Sequence, residues 1–295
     1  MDAEDDSSTF GRIGIGSWTY PWAVGTVTDL RPPEPMSAKA LVRTAAELQV
    51  RVVQIADNLP LDALTSPELK SLRQLAQDYG IALQVGTRGV DPNHLLKYLR
   101  IAEELESTLV RTLGGWPGYP TPLSEVEKNI HLVLPAFIDA GVSLALENYE
   151  VYPTADLANL VRSIDDPRFG ICLDVANSFA AWESAEQILD NLASVAISAH
   201  IKDFTVERTN SLMGFACVGR PIGQGKLPLD LILTRLGQFK RRPDLIVELW
   251  PPRQRTLEET LSLERTWASE SVQYLRSFVA GFFRKTGKQT RIPIY

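Results

Sequence analysis

Four ionisable side chains lie at the ends of short apolar runs in the second half of the chain. Glu147 ends SLALE, Asp174 ends FGICLD, His200 ends AISAH and Glu248 follows DLIV. Three converging carboxylates repel one another unless a cation compensates their charge, and a neutral imidazole adds a nitrogen ligand. We therefore expect a divalent metal held by these four residues. The alternative for each carboxylate is a structural ion pair with a nearby Arg or Lys.

Such side chains need strands that end at one common edge. Apolar runs typical of β-strands alternate with longer amphipathic runs along most of the chain. The predicted strands are 13–18, 52–56, 82–87, 109–113, 143–148, 169–175, 196–203 and 244–250. The predicted helices begin near Ser37, Ser66, Asp91 and Ser124, and later ones cover 154–164, 183–193, 227–239 and 256–280. Eight strand-then-helix units favour the α/β class and a single (β/α)8 TIM barrel, whose functional residues lie at the C-terminal strand ends.

A doubly wound open sheet is the alternative architecture, and it normally carries a glycine-rich phosphate loop after its first strand. Here the first strand contains Gly14 and Gly16, lacks a third glycine and leads into a proline-rich loop. We therefore prefer the barrel. It is expected to cover 11–283, between a disordered N-terminal tail (1–10) and a C-terminal tail (284–295).

Charge and composition narrow the class of partner and the compartment. The chain has 295 residues with 30 Lys plus Arg and 36 Asp plus Glu, so its net charge is −6. This argues against nucleic-acid and anionic-membrane partners. Two cysteines fit a reducing compartment, and the acidic start lacks the chemistry of a signal peptide. We expect a cytoplasmic location.

Five motifs carry a resemblance to a known family: LALEN (144–148), ICLDVANS (171–178), AHIKD (199–203), GQGKLPLD (223–230) and IVELW (246–250). As a set, they resemble the xylose-isomerase-like TIM barrel superfamily of sugar isomerases and epimerases, which includes the ketose 3-epimerases. The resemblance runs from about residue 11 to 280. It implies one divalent metal, most often Mn²⁺ with Mg²⁺, Co²⁺ or Zn²⁺ as alternatives, on Glu147, Asp174, His200 and Glu248.

The resemblance also implies a reaction. A metal stabilises an enolate beside a carbonyl, and Glu147 and Glu248 act as the catalytic acid–base pair of a sugar or keto-sugar isomerase or epimerase. The alternative on the same site is a lyase, either a decarboxylase of a 3-oxo sugar acid or a keto-inositol-type dehydratase. Ketose 3-epimerases typically have a histidine three residues after the strand-six aspartate, where this chain has Asn177. An amide can hydrogen-bond a hydroxyl but cannot carry the proton.

The substrate is expected to be a small sugar, keto-sugar or sugar acid, and the resemblance makes a homodimer an expectation. The candidate substrate-binding residues are Trp18, Arg88, Arg111, Asn177, Lys202 and Arg220. Trp18 either walls the pocket or plugs the barrel end.

Of the basic candidates, Lys202 shares the face of His200. The three arginines suit a carboxylate or phosphate, although an arginine inside an apolar strand needs an anion. For Arg111, an ion pair with Asp57 or Glu147 is therefore the simpler interpretation. Asp203 either orients a ligand or caps the loop after it, and Asn148 is expected behind Glu147. His94 and His131 are expected to be structural.

Overall fold

A computed structural model describes residues 10–27, 31–116, 119–211 and 213–286. Its strands are β1 (Ile13–Gly16), β2 (Val52–Ile55), β3 (Ala82–Gly86), β4 (Leu109–Leu113), β5 (Gly115–Trp116), β6 (Tyr119–Pro120), β7 (Ser143–Glu147), β8 (Phe169–Asp174), β9 (Ala196–Ile201), β10 (Asp203–Arg208), β11 (Phe215–Arg220) and β12 (Asp244–Val247). The parallel strands close into one barrel in the order β1-β12-β9-β8-β7-β4-β3-β2. This confirms the predicted (β/α)8 architecture.

The helices cover the outside of the barrel. They are α1 (Pro21–Val24), α2 (Ala38–Glu47), α3 (Ser66–Asp78), α4 (Pro92–Glu104), α5 (Leu123–Asp139), α6 (Thr154–Ile164), α7 (Val175–Ser178), α8 (Ala185–Leu192), α9 (Leu229–Leu236) and α10 (Leu257–Thr286). In α5, Val126, Ile130, Val133 and Phe137 recur at helical spacing and are all buried. One apolar stripe per helix therefore packs against the barrel.

The helix starts follow local capping chemistry. Ser37 and Asp91 accept hydrogen bonds from backbone amides of α2 and α4, as predicted. The predicted start at Ser66 shifts by one residue, because Thr65 forms a reciprocal capping box with Glu68. The start predicted at Ser124 also shifts by one residue: α5 begins at Leu123.

Other boundaries also differ from the sequence-based expectation. The strand predicted as 13–18 ends at Gly16, and the strand predicted as 244–250 ends at Val247. The seventh barrel strand, predicted to run to 203, ends at Ile201, and the segment after it forms an antiparallel hairpin of β10 with β11. Phe10, assigned to the N-terminal tail, is buried and contacts the ring of Phe282. At the other end, α10 continues to Thr286, past the expected boundary at 283. Residues 1–9 and 287–295 of the predicted tails lie outside the described residues.

Both faces of the barrel strands are buried, which explains their nearly continuous apolar sequences. Within the barrel, Leu109, Ala145 and Cys172 form a small apolar layer with Ile197 beside it. Above this layer, polar side chains reach the C-terminal rim. Among the described residues, no helix is long and apolar enough to cross a membrane.

Candidate metal centre and active site

Four neighbouring strands deliver the predicted ligands to one place. Glu147 is the last residue of β7, Asp174 the last of β8, His200 lies near the end of β9, and Glu248 directly follows β12. All four are buried, and at most 5% of the surface of any of them is exposed. The register pairs Asp174 with His200, whereas Glu147 pairs with Cys172 and Glu248 lies two residues beyond Ile246, the partner of His200.

The imidazole Nδ1 of His200 is the common centre of the cluster. It lies 3.3 Å from Glu248 Oε1, 3.5 Å from Glu147 Oε1 and 3.8 Å from Asp174 Oδ2. Two oxygen or nitrogen ligands of one divalent ion, each about 2.2 Å from it, lie at most about 4.4 Å apart. Each of these three separations falls within that limit.

Two buried atoms of this cluster are available as cation ligands, although one of them, Asp174 Oδ2, also lies 2.6 Å from the Lys202 ammonium. Within the described part of the chain, neither His200 Nδ1 nor Asp174 Oδ2 makes a hydrogen bond of ordinary geometry. Burial lowers the pKa of His200, but the surrounding Cys172, Glu248 and Glu147 outweigh burial and raise it well above its usual value. A proton and a divalent cation therefore compete for the same nitrogen, and the donor set fits the predicted metal.

Both carboxylate oxygens of Glu147 accept hydrogen bonds. Arg111 Nε donates to its Oε2, and Asn177 Nδ2 donates to its Oε1 at 2.9 Å. Burial raises the pKa of Glu147, but Arg111 and His200 more than offset this and hold it well below its usual range. This glutamate is therefore kept as an anion.

Arg111 also bridges to the far side of the rim, where Asp57 follows β2. Its Nη1 lies 3.1 Å from Asp57 Oδ1, and Arg88 Nε lies 3.1 Å from Asp57 Oδ2. Burial raises the pKa of Asp57, but the two arginines lower it below the ordinary value. Arg111 thus pairs with both carboxylates that the sequence suggested, through its Nε and Nη1 atoms.

The opposite side of the rim is less constrained. Lys202 Nζ lies 2.6 Å from Asp174 Oδ2 and 3.4 Å from Glu248 Oε2, and 5.8 Å from the ring centre of Trp250. Burial lowers the pKa of Lys202, but the carboxylates, Asp174 first, raise it far above its usual value. Within the described ranges, this long contact with an ammonium is the polar side-chain contact of Glu248 Oε2.

A cavity of about 300 Å³ lies between these two sides. It is lined by Trp18, Arg88, Arg111, Leu113, Glu147, Tyr149, Ala176, Asn177, Lys202, Cys217, Glu248, Leu249 and Trp250. The cavity therefore brings both predicted catalytic glutamates together with five of the six predicted substrate-binding residues.

A model of the xylose isomerase-like TIM barrel family matches residues 42–278. The chain belongs to this family. It is also similar to the 3-oxo-isoapionate decarboxylase of Pectobacterium atrosepticum, with 35% identity over 263 residues, covering 89% of this chain and 94% of that protein.

Solved structures share the fold of this xylose isomerase-like barrel. A D-psicose 3-epimerase determined with D-fructose superposes with a TM-score of 0.69 at 14% identity, covering 92% of this chain and 100% of that chain. A xylose isomerase-like barrel of Mycobacterium smegmatis in complex with magnesium gives 0.66 at 15% identity, covering 92% and 97%. At such identities the likeness establishes the fold alone.

One predicted substrate-binding residue lies elsewhere in this xylose isomerase-like barrel. Arg220 ends β11, pairs with Glu207 across the hairpin and donates to Gly219 O at 2.9 Å. It is absent from the described residues that line the cavity. The antiparallel pairing of β10 with β11, which lies between the predicted strand 196–203 and the predicted helix 227–239, accounts for this position.

Two polar residues behind the rim have structural partners. Asn148 accepts from Asp174 N at 2.7 Å and donates to Asp174 O at 2.6 Å, so it joins β7 to β8. Asp203 accepts from the backbone amides of Gly223, Gly225 and Leu227 at 2.8–3.0 Å. Of the two roles expected for Asp203, the structure shows loop capping.

Sequence reasoning missed two aromatic or polar contributors to the site. Tyr149 lines the cavity and lies against Arg88, whose guanidinium carbon is 5.9 Å from the ring centre. Gln54 accepts a hydrogen bond from the far nitrogen of His200 at 2.7 Å. The available signal was a polar residue inside the buried run VVQI, which needs a partner within the barrel.

Proposed function

We propose that this xylose isomerase-like barrel is a divalent-metal-dependent decarboxylase of a 3-oxo sugar acid. The observation that carries this choice is the unequal treatment of the two glutamates. Glu147 receives hydrogen bonds on both oxygens, one of them from a buried arginine, whereas among the described residues Glu248 contacts only Lys202 at 3.4 Å and the His200 ring at 3.3 Å. A carboxylate held as an anion in this way is a poor base for a C–H proton.

Epimerisation and decarboxylation make different demands on such a site. An epimerase needs two groups that exchange protons, one on each face of the substrate. A decarboxylase needs no base for the first step, because CO2 leaves in place of a proton, and it needs only one proton donor afterwards. The near full-length similarity to a 3-oxo-isoapionate decarboxylase supports the second reaction.

The residues divide the work between the two sides of the cavity. Glu147, Asp174, His200 and Glu248 would hold the cation, which would serve as a Lewis acid at the ketone oxygen and stabilise an enolate. Arg88 would face the substrate carboxylate, because its side chain is 12% exposed whereas that of Arg111 is 3% exposed, although both arginines also pair with Asp57.

The chemical steps then involve one bond broken and one formed. The bond between the carboxylate carbon and the α-carbon breaks, its electron pair stays on the substrate as an enolate, and CO2 leaves. The enolate carbon takes a proton from the Glu248–Lys202 pair, which recovers one from solvent. Glu147 and Asn177 stay in place throughout.

An isomerase or epimerase acting on a sugar or keto-sugar is the second candidate. Both Glu147 and Glu248 line the cavity, which is the arrangement that proton exchange on opposite faces needs. This reaction conserves the mass of the substrate.

One experiment separates the two candidates. The purified protein, supplied with Mn²⁺, is incubated in D2O with a panel of 3-oxo sugar acids and a panel of ketoses, with E248Q as the control. We expect CO2 release and one deuterium in the product from a 3-oxo acid. Deuterium exchange or epimerisation of a ketose, with no CO2 from any acid, would replace the decarboxylase by the second candidate.

A further inference from the structure

A chain of polar side chains crosses the interior of the barrel beneath the candidate metal centre. His200 Nε2 lies 2.7 Å from Gln54 Oε1, Gln54 Nε2 donates to Gln84 Oε1 at 3.0 Å, and Gln84 Nε2 donates to Asp244 Oδ2 at 2.8 Å. The two glutamines are adjacent in the register of β2 and β3 and are 1% and 5% exposed. The chain thus links β9, β2, β3 and β12.

Asp244 gives this chain a direction. Its carboxylate is paired with Arg12, whose Nη2 lies 2.7 Å from Oδ2 and whose backbone N lies 2.6 Å from Oδ1. An ionised carboxylate can only accept, so Gln84 must turn its NH2 group toward Asp244 and its oxygen toward Gln54. Gln54 must then donate to Gln84, which leaves only its oxygen for His200.

The direction decides which ring nitrogen of His200 carries hydrogen. Because Gln54 Oε1 can only accept, Nε2 must be the protonated nitrogen. The neutral ring then presents the lone pair of Nδ1 to Glu147, Asp174 and Glu248. The Cys172 thiol, 3.3 Å from Nε2, leaves this assignment unchanged because Nε2 already donates to Gln54.

We propose that Asp244, acting through Gln84 and Gln54, fixes His200 in the tautomer that binds the cation. These three are positioning residues, and the proposal rests on the metal site of the proposed function. Buried amides in otherwise apolar strands are unfavourable unless both ends are hydrogen-bonded. A relay that ends on a fixed carboxylate satisfies both amides and orients the ligand nitrogen at the opposite end.

Mn²⁺ affinity, read from the EPR signal of free Mn²⁺, tests the relay without any substrate. Q54L removes the acceptor of Nε2–H. D244N introduces an NH2 group that can donate to Gln84, which allows the side-chain amides of Gln84 and Gln54 to reverse their direction. We expect each to weaken Mn²⁺ binding by about 10- to 100-fold, the usual effect of losing a partner of a ligating histidine. R12M is the matched control: it removes the same ion pair but keeps the carboxylate, so its affinity should stay within about twofold of the wild type.

Two further readouts separate a relay from a general structural effect. In a Q84L background, D244N should no longer change Mn²⁺ affinity, because the connection is already broken. In ¹⁵N-histidine spectra of the metal-free protein, recorded where the ring is neutral, His200 should carry hydrogen on Nε2 in the wild type and on Nδ1 in part of the D244N molecules. The chain has only three histidines, and loss of a signal in H200Q assigns the ring.

The outcomes are distinct. Unchanged Mn²⁺ affinity in Q54L and D244N, an R12M effect equal to that of D244N, or a full D244N effect in the Q84L background would each overturn the relay while leaving the metal site intact. Failure of the wild-type protein to bind Mn²⁺ would instead overturn the metal site, and the relay with it.

Discussion

Glu147 at the barrel rim and Glu264 in α10 are both buried glutamates, with 2% and 0% of their surface exposed. Glu264 accepts hydrogen bonds from Trp22 N at 2.7 Å and Ala23 N at 3.0 Å. Burial raises its pKa to about 7, because the backbone amides only partly offset the loss of water. At Glu147, Arg111 and His200 reverse the effect of burial and lower the pKa.

The contrast shows that burial alone does not decide whether a carboxylate is charged in this barrel. A nearby fixed cation decides it. The rim therefore has one side, around Glu147 and Asp57, where charges are neutralised in place by arginines. On its other side, Glu248 contacts the His200 ring and lies 3.4 Å from the Lys202 ammonium, with no arginine beside it among the described residues. That difference favours a single proton donor over a pair of exchanging bases.

The largest expected effect comes from the less constrained side. In E248Q, turnover of the 3-oxo acid substrate should fall by about 10²- to 10⁴-fold from lost proton transfer, with a further loss through weaker metal binding. E147Q should act mainly through the metal, so excess Mn²⁺ should restore more activity to E147Q than to E248Q. The measurement is kcat over a range of Mn²⁺ concentrations. Equal rescue of the two variants would contradict the division of roles.

Removing the compensating cation should make Glu147 behave like Glu264. In R111M, buried Glu147 loses its arginine while Asp57 keeps Arg88, and we expect the free energy of unfolding at pH 8 to fall by about 3–5 kcal/mol. The loss should shrink as the pH falls, because Glu147 then takes up a proton in the folded state. Urea unfolding at pH 8 and pH 5 measures both effects.

R88M is the matched control for the R111M variant. Arg88 is more exposed than Arg111 and shares Asp57 with it, so Asp57 keeps one arginine when Arg88 is removed. The loss should be smaller and should depend less on pH. Similar losses in the two variants would show that Glu147 does not depend on Arg111 for its charge.

Glu264 should leave its own mark on the pH dependence of stability. Its pKa is about 7 in the folded protein against an ordinary 4.5, so the folded state holds a proton that the unfolded state has lost between these values. Stability therefore falls as pH rises through this window, by up to about 3 kcal/mol from this group.

The variant E264Q isolates that contribution, because a glutamine does not titrate. Between pH 4.5 and pH 7, the free energy of unfolding of the wild type should fall relative to that of E264Q. Urea titrations at pH 4.5, 6 and 8 measure it. Parallel stability profiles for the two proteins would show that the Glu264 pKa is not raised.

The residues that could be predicted from sequence are those whose position follows from strand ends alone. Glu147, Asp174, His200 and Glu248 each close an apolar run, and a parallel barrel brings such ends together. Gln54 also lies in such a run, but its partner depends on which strands face each other across the barrel and at what height. Local sequence does not specify that register, so the relay and its direction emerge only from the structure.

The same limit applies to the cavity wall and the hairpin. Tyr149 lies two residues after Glu147, in a segment whose sequence indicates a loop. Its contact with Arg88 joins segments that are distant in sequence. The hairpin that carries Arg220 is not predicted, because nothing in the sequence around Arg220 shows that Glu207 lies opposite it. Periodicity thus predicts the helices, the strands and the residues at the rim. Side-chain contacts between segments distant in sequence follow only from the three-dimensional structure.

The smallest expected effect concerns Lys202, whose removal should increase rather than decrease Mn²⁺ affinity. Its ammonium lies 2.6 Å from Asp174 Oδ2 and close to Glu248, so it repels a divalent cation and competes for the same oxygens. In K202M, Mn²⁺ affinity should rise by about three- to tenfold, which corresponds to roughly 1 kcal/mol. Turnover should nevertheless fall, because the Glu248–Lys202 pair has lost its ammonium. K240M, at an exposed lysine, changes the net charge equally and should leave both quantities unchanged. Weaker Mn²⁺ binding in K202M would mean that Lys202 supports the ligands rather than competing with the cation.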